Sequence, residues 1–155
     1  MTSAHWKHCF LELYRCIEGM FPFPKTMKLL DVLKQDADLS LSLRDLTKIC
    51  FEQLSWKANE REALQNLVNM YGINTAKSSS ILTASFLIES DLSTDEKIAN
   101  KVVDKVYTIR NQLVHQFSDK SQEIDIADDD WPILVSYLLA FWKSCYANFV
   151  VEFCD

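Results

Sequence analysis

Glycine and proline are scarce, with two and three residues in a chain of 155. So few breakers favour helices joined by short turns. Alternating β-branched runs are missing too, which removes the pattern of a half-buried sheet. There is no Gly-rich loop to cradle phosphates, so a P-loop nucleotide site is excluded. There is no strand–turn nucleophile elbow either, so a Ser-His-Asp hydrolase fails. The five cysteines are odd in number and contain no CxxC pair. With no signal peptide, that favours reduced thiols in a cytoplasmic protein. Positive charge is in deficit as well. A net charge of −6 argues against a general nucleic-acid coat protein, though a small basic site remains compatible with it. The longest apolar region, Ile133 to Phe153, is interrupted by Lys143, Ser144 and Glu152. It reads as a helix buried on most sides and not as a membrane span.

What is present fits one soluble globular domain over residues 1–155. Apolar residues make up 48% and charged residues 25%, and this length buries a core without disulfides or metal. The expected fold is all-α, a bundle of four or more helices with an up-down core. A first helix is expected from His5 to Met20, with Phe10, Leu13, Tyr14, Ile17 and Met20 on one face. The FPFPK stretch at Phe21–Lys25 breaks it, and a short helix follows over Met27–Lys34. Ser42 and Asp45, then Asn59 and Glu62, suggest capped helix starts, and Gly72 a C-terminal stop. SSSILTASFLIES reads as a helix packed on several sides. Ser93 and Glu96 form the clearest capping box and open a helix expected to reach Phe117. SDKSQEIDIADDD reads as an acidic loop. Asp128–Asp130 and Pro132 then suit the start of a last helix.

The helix after Ser93 carries an anomaly. At about 100° per residue, its apolar arc runs through Val102, Val103, Val106, Ile109 and Leu113, and Arg110 falls near the arc's centre. Asn111 and His115 are four apart on one edge. A buried guanidinium without a partner costs several kcal/mol. Arg110 therefore meets an acidic or carbonyl partner in the core, or this end of the helix faces a cleft between subunits. The plainer alternative is an Arg satisfied in an internal network, with His115 as a polar flank.

IRNQLVHQF resembles the R-N-x-x-x-H form of the R-x4-6-H motif of HEPN domains, small helical bundles that include metal-independent endoribonucleases. CFLELYRCIEGMF is similar to the first helix of the ApeA-like HEPN group of bacterial abortive-infection proteins. The resemblance implies that Arg110 and His115 are catalytic and that Asn111 orients or contacts phosphate. It also implies a homodimer through the motif helix, with two motifs facing across a composite cleft. A toxin subgroup carries R-x4-H-x-Y, whose Tyr is modified by a partner enzyme. This chain has Phe117 there, which puts that regulation in doubt.

These residue types suit RNA cleavage without a metal or cofactor. His115 carries an imidazole, which suits proton transfer. Arg110 stays charged and suits phosphate oxygens. Lys97, Lys101 and Lys105, at i, i+4 and i+8, are candidates for tracking the RNA backbone, against a plain solvated face paired with Asp104 and neighbouring acids. Expected partners are RNA, tRNA among the candidates, a second copy, and an antitoxin or larger defence protein, with no membrane. The competing reading is a non-catalytic HEPN-like module binding RNA or protein. His5, His8, Cys9 and Cys16 lack the usual zinc spacings, and Cys9, Cys16 and Cys145 read as small packing residues. Trp6, Trp56, Trp131 and Trp142 read as core.

Overall fold

Helix follows helix because each amphipathic stretch must bury one apolar stripe. The computed structural model describes residues 2–36, 43–54, 59–87, 91–115 and 126–149. Among them there are helices and turns and no strand. The architecture is an all-α bundle. Helix α1 covers Ser3–Glu18, α2 Phe23–Asp36, α3 Leu43–Leu54, α4 Glu60–Leu67, α5 Ile73–Ser78, α6 Asp95–His115 and α7 Asp130–Phe149.

The main core forms where α1 lies along α7, with α1 also meeting α4 and α6, and α7 also meeting residues 68–83. Phe10, Tyr14 and Ile17 of α1 are buried against this core, as are Trp131, Leu134, Leu138 and Phe141 of α7. Each such side chain contributes roughly 1.5–3 kcal/mol by leaving water. Phe10 meets Trp131 edge-on at 6.2 Å and lies over Tyr14 at 6.1 Å. Helices α2 and α3 pair off to one side around Leu30, Leu46 and Cys50, and Met27 touches both this cluster and the main core.

Local chemistry moves several element ends away from the sequence expectation. The first helix ends at Glu18, a turn fills residues 19–22, and α2 starts inside FPFPK. Pro24 is tolerated because the first helical turn has no N–H partner to lose. Asn59 does cap α4, its Oδ1 accepting the Glu62 N–H at 3.4 Å. Ser42 lies outside the described residues. Gly72 does not stop a helix: α4 runs on through a π-helical turn, Val68–Gly72, straight into α5. A Cβ at Gly72 would lie 3.0 Å from the Tyr137 hydroxyl and 3.0 Å from Val68 Cγ1, so close packing on α7 selects the glycine. SSSILTASFLIES is not a helix either. It forms two 3-10 turns, Ser80–Thr83 and Ser85–Leu87, with residues 88–90 outside the described set. Ser and Thr side chains bond nearby backbone here, as Ser79 and Thr83 do, and this competes with the α-ladder.

Thr94, not Ser93, caps α6, its Oγ1 accepting the Lys97 N–H at 3.3 Å. Helix α7 starts at Asp130 with Pro132 in its first turn. Asp130 is buried, and its Oδ2 accepts the Ser85 N–H at 3.0 Å and the Ser85 hydroxyl. That carboxylate faces the positive end of α7 and fastens the second 3-10 turn to it. No helix among the described residues is long and apolar enough to cross a membrane.

Candidate functional site

Helix α6 buries Ile98, Ala99, Val102, Val103, Val106, Ile109 and Leu113. Arg110 lies on the same side and is driven into the groove between α1 and α4. Its Nη2 donates to Glu18 Oε1 at 3.1 Å and to Glu60 Oε1 at 3.3 Å. Its Nη1 donates to Asn111 Oδ1 at 3.1 Å. The side chain keeps 21% of its surface exposed, against 29% for Glu18 and 41% for Glu60. The guanidinium is therefore reachable from solvent but already engaged.

Helix ends explain the two acids. Glu60 is the first residue of α4, where the dipole favours a carboxylate. Glu18 is the last residue of α1, where the dipole disfavours one. Arg110 offsets that second, unfavourable placement. Two carboxylates around one guanidinium leave the cluster with one excess negative charge. Tyr14, one turn before Glu18, lies under the cation with its ring centroid 5.8 Å from the guanidinium carbon. Its hydroxyl is buried with no hydrogen-bond partner among the described residues. Burial first, and the Glu18 carboxylate next, push the Tyr14 phenol above its ordinary range, while Arg110 pulls the other way. The phenol stays neutral at any physiological pH.

His115 ends the described part of α6 and is exposed. A helix C-terminus favours positive charge there. Five residues separate it from Arg110, a rotation of about 140° round the axis. One chain therefore joins Arg110 to Asn111 but turns His115 to another side. Val114 beside it is 44% exposed, unusual for a large apolar side chain.

The lysine row divides. Lys97 Nζ donates to Asp91 at 2.5 Å and to Ser93 at 3.3 Å. With this hydrogen bond first among the causes, Asp91 is held down at about 2. Lys101 is exposed and Lys105 half-buried. Asp104, expected beside this row, is paired instead with Arg61 of α4. Comparison with family models, curated proteins and solved structures finds no match.

Among the described residues no group of three or more His, Cys, Asp or Glu gathers as a metal site. Cys16, expected to pack, is exposed, and Cys9 is half-buried, whereas Cys145 is buried. Cys16 follows Arg15 round the solvent side of α1, off the stripe of Phe10, Tyr14 and Ile17. Trp131 is core, Trp6 and Trp142 are half-buried, and Trp56 lies outside the described residues. Sequence reading left open an acidic partner, a carbonyl partner or a cleft for Arg110. Glu18 and Glu60 are the acids it meets. The signals were their helix-end positions, and the Tyr14–Glu18 spacing that puts an acid one turn beyond a core aromatic.

Proposed function

We propose that this chain is an HEPN-like, metal-independent endoribonuclease domain of a bacterial toxin or anti-phage defence system, active as a homodimer through α6. One observation carries the reading. A guanidinium is fixed in orientation on the end of α6 that also presents an exposed imidazole and an exposed valine. Fixing an Arg ahead of binding removes ordering cost at the moment of reaction. The rotation between Arg110 and His115 favours a site shared by two copies, each giving the other its His115.

In the reaction the 2′-oxygen of RNA bonds to phosphorus as the bond to the 5′-oxygen breaks. One His115 takes the 2′ proton and the His115 of the second copy gives a proton to the leaving oxygen. Arg110 stabilises charge on the non-bridging oxygens, using N–H groups that remain beyond its three bonds. Asn111 keeps the guanidinium edge turned toward phosphate. The products are a 2′,3′-cyclic phosphate and a 5′-hydroxyl. Lys101 and Lys105 attract the backbone. RNA, tRNA among it, is the substrate, with an antitoxin or a larger defence protein as partner.

The second reading is a non-catalytic HEPN-like module binding RNA or protein. Its protein-binding form is favoured by the excess carboxylate at Arg110, which opposes an incoming phosphate, and by the Lys97–Asp91 pair.

A mixed cellular RNA pool, tRNA included, is incubated in EDTA with the parent, Arg110→Ala, His115→Ala and an equal mixture of the two variants. The nuclease reading expects cutting by the parent and none by either variant or by their mixture, because a mixed dimer keeps only one of the two His115 side chains the reaction uses. Equal cutting by all proteins, or by none, removes the nuclease. RNA retention by an inactive parent then selects the binding module.

A further inference from the structure

The outer face of α7 is built differently from every other exposed helix surface here. At about 100° per residue, Ser136, Leu139, Ala140, Lys143, Tyr146 and Ala147 fall on one side of α7, and all six are exposed. Leu139 is 38% exposed and Tyr146 49%. Lys143 is the single charge among them. A solvated helix face normally alternates charges, as α6 does with Glu96, Lys97, Lys101 and Asp104.

The pattern is also self-complementary. Asp129, exposed just before α7, lies fourteen residues from Lys143, about 21 Å along the axis and within about 40° of it around the axis. A two-fold axis through Ser136, with two α7 helices antiparallel, sets Asp129 of one copy against Lys143 of the other. The same axis sets Ser136 against itself where the helices approach most closely. Neither Asp129 nor Lys143 makes an ion pair with a described residue of its own chain. An isologous interface requires this reciprocity, residue i on j and j on i. Antiparallel alignment also opposes the two helix dipoles favourably.

We infer that the uncharged outer face of α7 is a homodimer surface that takes a second copy of this chain antiparallel about Ser136. Four helical turns per copy make a small interface, so the dimer is weak and concentration-dependent. The inference is independent of the ribonuclease reading and of the pairing through α6. The two surfaces share no residue, so variants on each separate them.

The test is the solution mass of the full chain, by sedimentation equilibrium over a wide concentration series. The expected result, in a Val114→Glu background that removes pairing through α6, is dimerisation with concentration that a further Leu139→Glu abolishes. Charge reversal at either Asp129→Lys or Lys143→Glu should raise the dimer Kd at least about tenfold, because two pairs turn repulsive per dimer, and the two reversals together should restore it. Circular dichroism checks each fold. Should Leu139→Glu fail to fold, the exposed charge reversals still decide. A parent monomeric throughout overturns the inference. So does a double reversal that fails to restore, or a dimer lost in Val114→Glu and kept in Leu139→Glu.

Discussion

Helices α6 and α7 are of nearly equal length, 21 and 20 residues, yet they handle charge in opposite ways. On α6 the outside is crowded with both signs, and one cation, Arg110, is turned inward. On α7 the outside carries one lysine, and one anion, Asp130, is turned inward at the first position. Both inward charges are satisfied, by different means. Asp130 has backbone and hydroxyl donors and the positive end of its own helix. Arg110 needs two acids brought from other helices. The lesson is that a charge near a helix end is cheap to bury, while a charge in mid-face depends on how neighbouring helices end. That dependence makes the Arg110 cluster sensitive to change, whereas Asp130 is a fastener.

The largest expected effect lies on the buried side of α7. Phe141→Ala leaves a cavity in the main core and should cost about 3–5 kcal/mol in urea unfolding. A loss under about 1 kcal/mol would mean that α7 is not the centre of the fold. On α6, Arg110→Ala leaves Glu18 and Glu60 facing each other without a cation. We expect about 1–3 kcal/mol, reduced from the value for a fully buried pair because all three side chains reach solvent. Glu60→Gln, which relieves one carboxylate and keeps the other, should cost clearly less. If both variants lose the same amount, the excess negative charge has no energetic role. Gly72→Ala pushes a methyl at Tyr137 and Val68 and should cost about 1–3 kcal/mol, sharpening the claim that α7 sets the shape of the π-turn.

The last effect is pH-dependent and is read at Cys145 of α7. Burial pushes the Cys145 thiol up to about 12 from the ordinary 9.0. The folded state then holds a proton that the unfolded chain gives up. This group's contribution is complete below about pH 9 and fades between about pH 9 and pH 12. Urea midpoints across that window should fall less steeply for Cys145→Ala than for the parent. Equal slopes would show that Cys145 does not titrate as a buried thiol. Tyr14 and Tyr137, also raised by burial, act in the same direction at the alkaline end in both proteins.

Much of the fold was legible before any coordinates. The spacing of Phe10, Tyr14 and Ile17 defined the buried stripe of α1, and the apolar arc of Val102 to Leu113 that of α6. Caps were legible to within a residue: Asn59 holds α4, but Thr94 replaces Ser93 because a single residue shifts which oxygen reaches the third amide. Turns inside apolar serine-rich sequence were not legible. SSSILTASFLIES has helical composition, and the hydroxyls of Ser79 and Thr83 compete for the backbone carbonyls in its described part. Gly72 was read as a stop because glycine permits one, whereas its use here is to let Tyr137 approach.

By itself the sequence determined that this chain is helical, where each stripe lies, and that Arg110 sits on an apolar arc, because helical periodicity is local. It also determined that Arg110 needs either a partner or a cleft, because an unpaired buried cation is too costly. Which partner it has was decided by tertiary structure. Glu18 and Glu60 lie 92 and 50 residues from Arg110, and only the packing of α1 and α4 on α6 brings three helix positions so distant in the chain within hydrogen-bonding reach.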